Sequence, residues 1–221
     1  FCLSRGLGDV YKRQDEYDVH DAFLDEKMHK AITIMQFKLE GQLIKEHPEF
    51  EMEKRLLLDK INIEKGTVCV EETEYPLKDV SFPTIDWEDP YRLSEDEADV
   101  MERLVTAFVN CEKLQRHVRF LYTQGSLYKV YNGNLLYHGC VPLNEDGTFT
   151  RVNVFGKEYA GKELYDVLEG YARKGYYAID PKEKKKGQDI LWFIWENQNS
   201  PVFGKAKMTT FAVSYTHLTL P

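Results

Sequence analysis

The 221-residue chain is 43% hydrophobic and 30% charged, with 37 acidic against 29 basic side chains and a formal net charge of −8. That is enough apolar material for one substantial core, or for part of a larger one. The acidic balance excludes nucleic acid or an anionic membrane surface as the main partner, because either would select a basic face; phosphate ligands stay open, since bound divalent cations dominate local charge. No apolar run approaches the roughly 20 residues of a membrane-spanning helix.

Both ends read as foreign sequence. Asp9-Val-Tyr-Lys-Arg-Gln14 back-translates through one permitted codon set to a strand whose reverse complement, read two bases in, encodes Val213-Ser-Tyr-Thr-His217 and begins Leu218. Two unrelated peptides related by strand inversion point to one adapter flanking a cloned fragment, and it resembles the transposon end used in sequencing libraries. Residues 1–14 and 213–221 are therefore set aside as scars. Within Asp15–Ala212 three cysteines remain, Cys69, Cys111 and Cys140, an odd number without C-x-x-C spacing. Free thiols in a reducing cytoplasm are the expectation.

In chain order, Met28, Ile32, Met35, Leu39 and Leu43 recur at three- and four-residue spacing, which predicts an amphipathic helix over 24–46 that ends at His47-Pro48. His29 and His47 read as surface or capping residues. Between Phe50 and Leu93 the period breaks. Gly66–Val70 and Glu74–Leu77 predict a short hairpin, Pro83 and Pro90 mark irregular loop, and the whole stretch reads as an insertion on a scaffold. Ser94-Glu-Asp-Glu97 matches a capping box, opening a helix expected to bury Met101, Leu104, Val105, Phe108 and Val109 and to run to about Tyr122. Its last turns carry Lys113, Arg116 and Arg119. Solvated charges are the default there, and a phosphate clamp is the alternative, since Arg suits bidentate phosphate recognition.

Leu127–Tyr137 predicts two strands joined at Asn132-Gly133, a dipeptide that tolerates the positive φ of a type I′ turn. The second strand delivers His138, followed by Gly139, to a strand end. A histidine so placed either closes the hairpin as a polar residue or offers a metal ligand. A turn at Asn144–Gly147 follows, then a strand-like Phe149–Phe155, a helix from Gly161 to about Lys174, a solvated loop over Lys182–Lys186, and the apolar segment Asp189–Trp195. Interleaved helices and strands make the class α/β.

Six ordered blocks, Lys30–Glu40, Arg55-Leu-Leu-Leu-Asp-Lys60, Phe82-Pro-Thr-Ile-Asp86, Glu112-Lys-Leu-Gln-Arg-His117, Tyr131-Asn-Gly-Asn-Leu-Leu-Tyr-His-Gly-Cys140 and Met208-Thr-Thr-Phe211, closely resemble class III fructose-1,6-bisphosphatase. The resemblance covers essentially all of 15–212. It implies a cytoplasmic gluconeogenic hydrolase built on a partial metallophosphatase-like α/β sandwich, with a mixed helical and hairpin insertion at about 50–93. It also implies a small phosphorylated sugar as partner, fructose 1,6-bisphosphate, and a pair of divalent ions, Mn2+ by the family's habit. His138 is then similar to the histidine that ligates one metal of a two-metal centre, and Asp189-Ile-Leu-Trp192 is similar to a segment of protein serine/threonine phosphatases. Arg116, Arg119 and Lys205 are the candidates for gripping the second phosphate.

The departures bound the expectation. The upstream Gly-Asp-x-x-Asp-Arg-Gly and Gly-Asn-His-Asp motifs and a downstream Gly-His motif are absent between Asp15 and Ala212, and Gly8-Asp9 falls within the scar. The chain is thus expected to be an internal fragment, inactive by itself and a weak metal binder. Alternatives are a related phosphatase with another phosphorylated substrate, or a non-catalytic assembly or regulatory domain that uses the 50–93 insertion as its contact surface.

Overall fold

The computed structural model describes residues 22–70 and 72–203. The chain divides into two compact units, residues 1–36 and 37–221. Helix α1, Ala22–Glu46, crosses that division. In the first unit Met28 and Ile32, expected inside, are exposed at 51% and 48%.

In the second unit α1 is buried on nearly every side. Phe37, Leu43 and Ile44 are inside, and so are Lys38 and Glu40. Gly41 is what brings the Tyr91 ring onto this helix: a Cβ there would stand 2.0 Å from Tyr91 Cδ1. The helix stops where expected, because His47 leaves helical geometry at φ −127° and Pro48 cannot extend the ladder.

Three short 3-10 turns, Pro48–Phe50, Glu53–Arg55 and Leu58–Lys60, lead into a three-stranded antiparallel sheet. Its strands are β1 (Ile61–Asn62), β2 (Thr67–Val70) and β3 (Thr73–Pro76), with Val68 opposite both Ile61 and Tyr75. The expected hairpin is therefore present and has gained a strand.

Helix α2, Glu95–Val109, opens on the capping box foreseen in the sequence, Ser94 and Glu97 each accepting from the other's backbone N–H. The expected single helix to Tyr122 is broken. Cys111 is extended at ψ 99°, and α3 runs from Glu112 to Gln124. Nor does α2 bury its apolar stripe, since Leu104, Val105, Phe108 and Val109 are 40–60% exposed.

Strands β4 (Tyr128–Tyr131) and β5 (Asn134–Tyr137) pair antiparallel, with Asn132 and Gly133 at φ +49° and +75°. This is the type I′ turn that the Asn-Gly pair predicts. A last pair, β6 (Val152–Val154) and β7 (Lys157–Tyr159), covers the core with alternating Val152 and Val154.

Helices α4 (Gly161–Tyr177) and α5 (Pro181–Glu196) form a hairpin. The lysine run 182–186, expected as loop, is the first turns of α5. Asp180 caps it by accepting from Glu183 N–H, and Pro181 sits at the first position, where its missing donor costs nothing. The two helices meet backbone to backbone, as a Cβ on Gly187 would lie 2.1 Å from Gly175 N.

The core gathers Ile44, Phe50, Met52, Val154, Leu164, Leu168, Ile190 and Phe193. The class is mixed α and β, with separate antiparallel sheets of three, two and two strands among the described residues.

Candidate functional site

His138 follows β5 directly, and its side chain is exposed. The strand end expected from the sequence is therefore present. Every residue of β5 is exposed, and the hairpin touches α4 through β4, where the Tyr128 ring meets Tyr165 edge-on at 5.6 Å.

The hairpin is nonetheless held firmly at its base. Ser126 Oγ and Leu127 N–H donate to Glu169 Oε2 at 2.5 and 2.9 Å, and Tyr128 Oη donates to Asp166 at 2.9 Å. Partial burial raises the Glu169 pKa, but the bonds from Ser126, Arg173 and Leu127 outweigh it and hold the carboxyl below its ordinary range. The far side of His138 is pinned too. Cys140 N–H donates to Pro201 O at 3.0 Å, Cys140 Sγ lies 3.4 Å from Ser200 O, and Tyr165 Oη donates to Cys140 O at 2.7 Å.

Gly139 completes this seat. A Cβ at 139 would stand 2.4 Å from the carbonyl oxygens of both Pro201 and Val202. The glycine after the histidine is thus required by the chain crossing behind it. Gly139→Ala is expected to destabilise the chain by about 1–3 kcal/mol, the range for forcing extra volume into a filled site, read as a lower urea midpoint. An unchanged midpoint would show that the 200–203 loop yields freely.

Arg116 and Arg119 are both exposed on α3, three residues apart and so on one face. No hydrogen bond links them to His138 among the described residues, and Lys205 lies outside those residues. Two clefts open near the hairpin base, of about 430 and 550 Å3. Neither is lined by Arg116, Arg119 or His138. Arg173, which lines both, is bound to Glu169 and to the carbonyls of Tyr122 and Gly125, so it is not free to grip a phosphate.

Among the described residues one trio has metal-ligand spacing: Glu46, His47 and Asp189 offer atoms within 4.8 Å of one another. His47, expected on the surface, is only 12% exposed in its side chain and stacks on Phe50 at 4.8 Å. Its two ring nitrogens face Glu49 at 3.0 Å and Asp189 at 3.1 Å. Lys185 Nζ stands 2.6 and 2.8 Å from the Asp189 oxygens and 2.9 Å from Glu46, and its bond holds Glu46 below the ordinary carboxylate pKa. The place of a cation is therefore taken by an ammonium group. His138 is not part of this trio, so its imidazole is presented without an assembled two-metal donor set among the described residues.

Sequence reasoning missed a buried ionic cluster. Arg55 Nε donates to Glu40 Oε1, and Arg55 Nη1 donates to the backbone carbonyl of Glu196 at 2.7 Å. Glu40 Oε2 and both Glu196 carboxyl oxygens are buried without a hydrogen-bond partner of ordinary geometry. Desolvation, with the Glu40 charge beside it, pushes Glu196 up to about 9; desolvation also raises Glu40, against the pull of Arg55. The two carboxyls interact directly, and a proton held on Glu196 reconciles their proximity with their burial. Arg55 and Glu196 lie 141 positions apart, so no spacing announces the cluster.

The family model for Firmicute fructose-1,6-bisphosphatase matches residues 8–218. The chain is 56% identical over 203 residues to a fructose-1,6-bisphosphatase class 3 of Clostridium botulinum (strain Langeland), covering 91% of this chain and 30% of that protein. It is 53% identical over 195 residues to that of Clostridium tetani, covering 88% and 30%, and 55% identical over 185 residues to that of Clostridium novyi, covering 83% and 28%. The chain thus spans about 30% of the length of the curated relatives it matches. No solved structure matches it. With the family model matched over residues 8–218 and relatives at 53–56% identity over most of its length, the chain belongs to the Firmicute fructose-1,6-bisphosphatase family.

Proposed function

We propose that this chain is a segment of a cytoplasmic gluconeogenic enzyme that hydrolyses fructose 1,6-bisphosphate to fructose 6-phosphate and phosphate, and that His138 is one arm of its two-metal centre. The observation that carries the reading is the seat of His138: an exposed imidazole on a backbone fixed at Glu169 before it and at residues 200–202 behind it. Its support is the likeness to relatives named fructose-1,6-bisphosphatase class 3 at 53–56% identity.

The remaining metal ligands come from the rest of the longer protein, which also completes a metallophosphatase-like α/β sandwich. Manganese is the ion of this reading, and mixed imidazole and carboxylate ligands suit it. When bound, such a pair clamps phosphate oxygens and acidifies water for in-line attack. This chain's own part is to hold the His138 ring in place. Arg116 and Arg119, exposed on one helix face, stay candidates for the second phosphate.

The test sets residues 15–212 between the flanks of the C. botulinum relative and measures manganese content and phosphate release. The joined protein is expected to hydrolyse fructose 1,6-bisphosphate, and the 221-residue chain alone is not. His138→Ala in the joined protein is expected to lower both metal occupancy and turnover by at least about 10–100-fold, the cost of losing even an outer-shell partner of a metal ligand. Full occupancy and normal turnover in that variant would remove His138 from the centre.

A further inference from the structure

Fourteen of the twenty-two large apolar side chains exposed among the described residues fall between Val100 and Phe149. No residue from Ala98 to Val141 is buried. Scattered apolar exposure is ordinary, but a run from Ala98 to Val141 without one buried residue is not.

Two features show what the stretch lacks. Helix α2 is amphipathic, yet its stripe, including Leu104 and Phe108, faces solvent. The β4–β5 hairpin exposes large apolar side chains on both faces: Val130 stands opposite Leu135 on one, and the other mixes Leu136 and Tyr131 with their polar partners Lys129 and Asn134, the four apolar residues being 53–63% exposed. A lone two-stranded hairpin is marginal in water. Strands that carry large apolar side chains on both sides are typical of sheets covered on both sides, and both outer edges here lack a strand among the described residues.

The family supplies the missing material, since relatives at 53–56% identity carry more than twice as much chain again outside the matched segment. We propose that residues 100–149 are the docking surface for that further polypeptide, which covers both faces of the β4–β5 hairpin and adds strands at its edges. The inference rests on exposure and on the relatives' length, and it is independent of the metal reading of His138.

Cys111 and Cys140 are exposed free thiols in or beside this surface and serve as probes, their labelling located by peptide mapping to set aside Cys69 and Cys2. Maleimide labelling and sedimentation are compared for the 221-residue chain and for residues 15–212 set between the C. botulinum flanks. Labelling is expected to be fast in the short chain and at least about tenfold slower in the long one, as for sites opened only by local unfolding. Leu136→Asp is expected to lower the urea midpoint of the long protein and leave that of the short chain unchanged.

Equal labelling in both proteins would overturn the proposal, as would a joined protein that fails to fold. Protection already present in the short chain and rising with its concentration would assign the surface to a second copy and also overturn it. Because phosphate release is not a readout here, a protected but inactive protein would refute only the catalytic reading.

Discussion

Arg55→Met is expected to destabilise the chain by about 3–5 kcal/mol at pH 7, the cost of stripping one partner from a buried ion pair. Arg55 is the cation facing Glu40, and both are almost wholly buried, at 8% and 1% exposure. Without it Glu40 must either stay charged in an apolar site or take up a proton, and each is costly near neutrality. The loss should shrink at pH 4–5, where the unfolded chain also binds that proton.

The same cluster sets a pH dependence of known sign. Glu196 is raised from 4.5 to about 9, so the native state holds a proton that the unfolded chain has already released. Its contribution is complete below pH 4.5 and falls as pH rises toward 9. Glu196→Gln keeps the shape, can still donate to Glu40, and no longer titrates. Between pH 5 and 9 the variant's urea midpoint should therefore vary less than that of the parent, and at pH 9 the variant should be the more stable. Parallel midpoint curves for the two proteins would mean that Glu196 is ionised in the native chain throughout.

Phe193→Ala carries the other large effect, about 3–5 kcal/mol. Phe193 is fully buried on α5, its ring 5.1 Å from that of Phe50 in an edge contact, among residues drawn from α1, β6, α4 and α5. A domain of ordinary stability has only 5–15 kcal/mol in hand, so most of it is expected to go. Phe193→Leu fills more of the space and should lose much less. If the two variants unfold at the same urea concentration, the site collapses around the gap and the ring is not the keystone of this core.

Local features were legible in the sequence because their causes are local. The capping box at Ser94 and Glu97, the stop at His47-Pro48 and the I′ turn at Asn132-Gly133 each follow from the chemistry of a few neighbouring residues. The lysine run 182–186 misled because its composition suits a solvated loop, whereas Asp180 and Pro181 start a helix there whose later turns bury Ile190 and Phe193. The stripe of α2 misled for the opposite reason. Its period is helical, but a period says which residues share a face and not whether anything covers it.

The candidate site divides the same way. That His138 follows a strand and precedes a glycine is written in the chain. What Gly139 is for, a close crossing by residues 201–202, only the tertiary structure shows. Lys38 beneath Thr84 and Glu97, Arg55 between Glu40 and Glu196, and Lys185 in the cation's place beside Glu46 and Asp189 all stayed invisible, except for the i, i+4 spacing of Lys185 and Asp189. The sequence by itself determined the turns, the caps and the family. The three-dimensional packing decided which charges are buried and paired, because desolvation depends on neighbours brought together from 141 and 142 residues away.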